Sequence, residues 1–217
     1  MKSKALWSIL AAGICFALTA QAAQAAGDEV EGKKKFFTCG GCHAIEGYAN
    51  AYPNYHVPRI GGQQQAAVLA ALKSYKTGDR IHGDQPLNNS MQGNASGWTD
   101  RDLEDIAAYV SKRTLSTEAN AISGHPDKAK EKSALCAGCH GVDGNVLDKD
   151  GKALNQDALR LAGQYEDYLI KALKDYKKGV VRKNPIMVGI AGSLSDEDIK
   201  DISAYFASQK GLTTISE

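Results

Sequence analysis

The residues with the clearest chemistry are two copies of Cys-x-x-Cys-His: Cys39-Gly40-Gly41-Cys42-His43 and Cys136-Ala137-Gly138-Cys139-His140. Two thiols one helical turn apart can each add to a haem vinyl group, while the adjoining histidine brings its imidazole under the iron. A zinc site would need the two Cys-x-x-Cys pairs close together within a compact ribbon pattern, whereas they stand in opposite halves of the chain. A thioredoxin-like redox pair would need a strand-rich βαβ context, and no β-branched run flanks either motif. The pattern therefore predicts two covalent c-type haems, held through Cys39, Cys42, Cys136 and Cys139, with His43 and His140 as iron ligands.

The second axial ligand decides what such haems can do. Met91 and Met187 occupy matched positions, each seven residues before the residue that precedes a helix cap, Trp98 in one half and Leu194 in the other. A thioether is a weak, soft ligand that favours the ferrous ion and raises the reduction potential. Matched methionines in a repeat are expected to be ligands rather than core filler. The first half also carries His56 and His82, which compete with Met91 on paper, whereas His125 has no counterpart and no expected role in ligation.

The elements that must position these groups repeat as well. Arg59-Ile60-Gly61-Gly62-Gln63 corresponds to Arg160-Leu161-Ala162-Gly163-Gln164. Each run is followed by a helical pattern, with Val68, Leu72 and Tyr75 matching Leu169, Leu173 and Tyr176 at i, i+4, i+7. Gly78 and Gly179 end these helices in the position that favours a left-handed residue. A later helix opens at Thr99-Asp100-Arg101-Asp102 and at Ser195-Asp196-Glu197-Asp198, a cap followed by acids in the first turn. Its apolar faces are Leu103, Ile106, Ala107 and Val110, against Ile199, Ile202, Ser203 and Phe206.

Short helices are expected before the haem motifs, from about Asp28 to Cys39 and from about Lys128 to Cys136. Asn50 to Arg59 and Gly141 to Leu154 read as loops around the haem edges. The chain is thus predicted to be all-α in two domains, 26–120 and 128–217, joined by a breaker-rich linker at 121–127 with the boundary near Ala121. Arg59 and Arg160, and the hydroxyls of Tyr75 and Tyr176, are candidates to hydrogen-bond haem propionates, with surface exposure or core packing as the alternatives. Lysines 33, 34 and 35, and 171, 174, 177 and 178, offer either a docking surface for an acidic partner or a solvated helix face.

Residues 1–25 read as a cleaved secretory signal peptide. Lys2 and Lys4 precede the apolar stretch Ala5 to Ala20, and Ala23-Gln24-Ala25 supplies an A-x-A cleavage site. Cys15 leaves with that segment, so the mature chain holds only the four motif cysteines and no structural disulfide. Removing Lys2 and Lys4 leaves 24 basic residues against 25 acidic ones, a formal charge near −1 that argues against nucleic-acid binding. No later apolar run approaches the roughly 20 residues that a membrane span requires, so the mature chain is expected not to span a membrane.

Tandem Cys-x-x-Cys-His units, each with a Gly-Gln helix, an Asn-x-x-Met or Pro-x-Met segment and a last helix ending Ala-Tyr-Val or Ala-Tyr-Phe, resemble the cytochrome c4 family. The likeness spans the whole mature chain. It is strongest in Leu161-Ala162-Gly163-Gln164, Asn184-Pro185-Ile186-Met187 and Leu194 to Ile199, while Gly47 to Val57 replaces the short loop that Gly141-Val142-Asp143-Gly144-Asn145 retains. The resemblance implies two class I cytochrome c domains related by a pseudo-twofold axis. It further implies a periplasmic one-electron carrier, open to peripheral membrane association, that passes electrons from a quinol-oxidising complex or dehydrogenase to a terminal oxidase or reductase. An iron with histidine and methionine both bound has no open position for substrate, which argues against an enzyme. Two alternatives stand beside this: a dihaem enzyme such as a thiosulfate dehydrogenase or peroxidase, and the dihaem subunit of a flavocytochrome sulfide dehydrogenase.

Overall fold

The structure is a computed structural model that describes residues 27–51, 54–78, 88–122, 125–148, 150–155 and 157–216. The expected signal peptide, Cys15, Tyr52 and His82 lie outside the described residues. The first half contains α1 (Glu29–His43), a ribbon of β1 (Ala49–Asn50) and β2 (Tyr55–His56), α2 (Gln65–Thr77), α3 (Asn89–Ser96) and α4 (Asp100–Ser111). The second contains α5 (Pro126–Lys132), α6 (Ala134–His140), α7 (Glu166–Lys178), α8 (Pro185–Gly192) and α9 (Asp196–Ala207).

The helices run further than their local propensities suggest. α1 starts where Asp28 accepts hydrogen bonds from the Val30 and Glu31 amides, but it does not stop at Cys39. It continues through Gly40 and Gly41 to His43, because Phe36 and His43 are both buried and anchor a turn that glycine alone would weaken. In the second half the helix begins at Pro126 rather than Lys128, using proline in the first turn where no amide partner is needed. It breaks at Ser133 and resumes as α6 through His140.

α4 and α9 follow the sequence pattern closely. Thr99 and Ser195 each close a reciprocal capping box with the acid three residues on, Asp102 or Asp198. The anticipated faces are buried, with Leu103 and Ile199 fully so. Gly78 and Gly179 end α2 and α7 at φ 74° and 63°, the left-handed cap foreseen for both. The all-α description has exceptions among the described residues: the ribbon pairing Ala49 with His56 and Asn50 with Tyr55, and the isolated bridges Gly61–Thr213 and Leu147–Ala153. The ribbon residues read as loop because two-residue strands carry no detectable periodicity.

A repeated ion pair ties the first helix of each half to the last. Lys35 Nζ lies 2.6 Å from both Asp102 Oδ1 and Asp105 Oδ2, and Lys132 Nζ lies 2.5 Å from Asp198 Oδ1 and 3.3 Å from Asp201 Oδ2. Lys35 holds the Asp102 carboxyl down to about 2, helped by the Thr99 hydroxyl and amide. Lys35 is therefore a structural residue rather than part of a docking or solvated face. Lys171 and Lys177 are likewise paired, with Asp175 and Asp196. α1 can approach α4 this closely because position 32 is glycine: a Cβ there would stand 2.0 Å from the Asp105 carbonyl oxygen.

Each half has its own core, and the C-terminal tail of the chain returns to the first. Phe36, Leu72, Leu103, Ile106, Tyr109 and Val110 form the first core, and Ile215 from the C-terminal tail completes it. Ala129, Leu169, Ile202 and Phe206 form the second, against which Ile122 packs. The tail is held by paired backbone bonds, Gly61 N–H to Thr213 O at 2.9 Å and Thr213 N–H to Gly61 O at 3.1 Å. Ile215→Ala is expected to destabilise the first domain by about 2–3 kcal/mol, the lower part of the range for buried isoleucine because a chain end can relax. Amide exchange read domain by domain checks this: protection should fall first around Leu103 and Ile106.

Candidate haem sites

In each half one helix carries both cysteines and the histidine, so a single rigid element presents all three groups. The four thiols form no disulfide; Cys39 and Cys136 are half-buried, and Cys42 and Cys139 are exposed. Burial pushes the Cys39 thiol up and the Cys136 thiol up to about 11. Among the described residues no group of three or more His, Cys, Asp or Glu side chains gathers to hold a metal ion by itself.

The histidines are oriented identically. His43 Nδ1 donates to the Pro58 carbonyl at 2.9 Å, and His140 Nδ1 donates to the Leu159 carbonyl at 2.8 Å. A carbonyl only accepts, so each proton sits on Nδ1 and the Nε2 lone pair is left for a metal. Burial holds both imidazoles below the ordinary histidine value, which keeps them neutral, the form that ligates.

The methionine segments are helices, α3 and α8, that the sequence pattern left unassigned. Asn88 and Asn184 are their N-caps, and each side-chain oxygen accepts from the amide of the methionine three residues on, at 3.0 Å for Met91 and 3.2 Å for Met187. Asn-x-x-Met is thus a capping signature that places Met91 and Met187 at the third helical position. Both methionines are half-buried, and Met91 flanks the same core as Cys39.

Other candidates are placed differently from their expected roles. His56 donates its amide to Asp167 Oδ2 at 3.0 Å, its Nδ1 lies 2.8 Å from the same oxygen, and its ring stacks on Tyr165 at 4.5 Å. It fastens the ribbon of the first domain to α7 of the second. His125 is exposed just before α5 and makes no side-chain cap. Arg59 is taken up by protein groups: Asn120 Oδ1 at 2.5 Å, the Gly163 carbonyl at 2.9 Å, Glu46, and the face of Tyr165 at 4.1 Å. Simple surface exposure does not describe it, since its side chain is only 11% exposed. Arg160 differs, with one nitrogen bonded to the Asn145 carbonyl at 2.5 Å and a buried Nε that has no hydrogen-bond partner. The hydroxyl of Tyr176 meets Arg182, a buried arginine that also reaches Tyr168 OH at 3.1 Å and that the repeat did not flag.

These residues fit haem. Each half supplies two unpaired thiols, a neutral imidazole with Nε2 available and a capped methionine, and Arg160 Nε is a buried donor suited to a carboxylate. Sequence reasoning missed Gln63 and Gln164, both buried, which reach across between the halves. Their signal was the repeated Gly-Gln before each helix.

Comparison with known proteins agrees with this construction. Residues 29–114 and 128–210 each match the cytochrome c family. Cytochrome c4 of Stutzerimonas stutzeri is 44% identical over 97 residues, 41% of this chain and 43% of the relative, so the matched part spans less than half of that protein. The crystal structure of reduced recombinant cytochrome c4 from Pseudomonas stutzeri superposes with a TM-score of 0.62 at 30% identity, covering 85% of this chain and all of that one (100%). A thiosulfate dehydrogenase from Marichromatium purpuratum shares the fold alone, with a TM-score of 0.64 at 22% identity over 83% of this chain and 40% of that one. The chain belongs to the cytochrome c family, as a two-domain relative of the cytochromes c4 with two covalently bound haem c groups.

Proposed function

We propose that this protein is a periplasmic one-electron carrier in which His43 and Met91 ligate one iron and His140 and Met187 the other. The observation that carries this reading is the twofold repetition of one ligand arrangement: Nδ1 locked on a carbonyl in each half, and a methionine held by an asparagine cap in each half. When bound, haem supplies one-electron exchange between ferric and ferrous iron. The chain's part is to fix both ligands and to exclude water. The closed coordination argues for outer-sphere transfer and against turnover of a small molecule. His56 is committed to Asp167 and Tyr165, which supports Met91 over His56 as the first domain's distal ligand.

The remaining organisation follows from the same reading. Residues 1–25 direct export, 26–120 and 128–217 are the haem domains, and 121–127 links them. Among the described residues no helix is long and apolar enough to cross a membrane. The electron donor is a quinol-oxidising complex or dehydrogenase, and the acceptor a terminal oxidase or reductase. Mixing the reduced protein with membranes from its own source tests this, with rapid haem oxidation expected. Lack of oxidation, together with turnover of peroxide or thiosulfate at enzyme-like rates, would overturn the carrier in favour of an enzyme.

A further inference from the structure

The peptide that anchors each proximal histidine is itself gripped from the other domain. The amide joining Pro58 to Arg59 accepts His43 Nδ1–H on its oxygen at 2.9 Å, and donates its N–H to Gln164 Oε1 at 2.9 Å. The amide joining Leu159 to Arg160 does the same, accepting His140 Nδ1–H at 2.8 Å and donating to Gln63 Oε1 at 2.7 Å. Each glutamine also returns a bond from Nε2 to the carbonyl of the same arginine, 2.8 Å for Gln164 to Arg59 and 3.1 Å for Gln63 to Arg160. The amide orientation is forced, because each Oε1 also accepts the following backbone N–H, of Tyr165 or Gln64, at 3.0 Å. Both side chains are about 5% exposed, so water does not compete for these bonds.

We propose that Gln63 and Gln164 are crossed positioning residues, each tuning the reduction potential of the haem in the opposite domain. The path is one conjugated amide on each side. A hydrogen bond accepted from the peptide N–H places more negative charge on the peptide oxygen, and successive hydrogen bonds polarise one another. That oxygen then pulls harder on the imidazole Nδ1–H and raises the basicity of Nε2, as outer partners of a metal-bound histidine do. A more basic imidazole favours the ferric ion. Gln164 thus holds down the potential of the first-domain haem and Gln63 that of the second. The proposal rests on His43 and His140 as proximal ligands.

A glutamine that only held the domains together would disturb both haems alike, and this separates the two roles. The test compares redox titrations of the full holoprotein carrying Gln164→Leu or Gln63→Leu, following the paramagnetically shifted haem resonances of each domain, assigned through Met187→Ala. Gln164→Leu should raise the midpoint of the first-domain haem and leave the second unmoved, and Gln63→Leu should do the reverse. The expected size is a three- to tenfold change in the ferrous-to-ferric ratio at fixed potential, roughly 30 to 60 mV for a one-electron couple at 59 mV per decade. Gln→Glu at the same positions, protonated so that it still donates to the arginine carbonyl, leaves an acid carbonyl that accepts more weakly than the amide, so it should give a smaller crossed shift in the same direction as leucine; these variants carry the test if the leucine forms do not fold. A shift confined to the haem of the substituted domain, equal shifts in both haems, or no shift in either would overturn the proposal. The proximal-imidazole resonances of the unsubstituted protein check the ligand assignment separately.

Discussion

Replacing Met187 by alanine is expected to remove about half of the weak near-infrared sulfur-to-iron band of the oxidised protein and to lower the potential of one haem while the other keeps its own. Met187 is capped into α8 by Asn184, and no histidine stands in the second half outside the haem motif. No second histidine is there to replace the lost thioether, and the vacated position should then bind small ligands such as carbon monoxide or cyanide. Met91→Ala should remove the remaining band. A first domain whose spectrum ignores Met91→Ala and shows bis-histidine character would transfer that ligand role to His82 or His56. The band intensity of the two single variants, summed against the unsubstituted protein, reads out both sites in one experiment.

Removing both cysteines of the second motif, Cys136→Ala with Cys139→Ala, is expected to give a protein one haem lighter by intact mass after acid-acetone treatment, with its first haem retained. The structural consequence should be large. The second core rests on few large side chains, Leu169, Ile202 and Phe206 among them, in a domain of a size where a hydrophobic core is marginal without help. The second domain should therefore lose amide protection across α7 and α9. The first domain should weaken as well, since Ile215 reaches its core through the end of the second. A mass carrying both haems would sink the attachment assignment.

Much of this molecule is legible in its sequence. Cys-x-x-Cys-His states its chemistry locally, because the thiols and the imidazole must lie within one or two helical turns of each other. The caps at Thr99 and Ser195, the glycine stops at 78 and 179 and the buried faces of α4 and α9 were readable because each depends on i to i+4 relations within one helix. The matched methionines emerged from the repeat alone. Asn88 and Asn184 belong to the same local class as capping residues, although the helices they open were too short to declare themselves by periodicity.

Tertiary structure decided what depends on groups far apart in the chain. No local pattern indicates that Lys35 and Lys132 each bridge two carboxylates on a distant helix, or that Ile215 completes the first core. Arg59 and Arg160 occupy matched positions in the repeat yet differ in surroundings. The first is consumed by Glu46, Asn120 and Tyr165, and the second keeps a buried nitrogen unbonded. The repeat announced Gln63 and Gln164 as a pair, but their contact with each other's domain appears only when two copies of one fold are packed face to face. Residue type and short spacing therefore set the cofactor chemistry, since covalent attachment and ligation are local events. The coupling between the two halves was left to packing, because a hydrogen bond satisfied across an interface leaves no period in the chain that makes it.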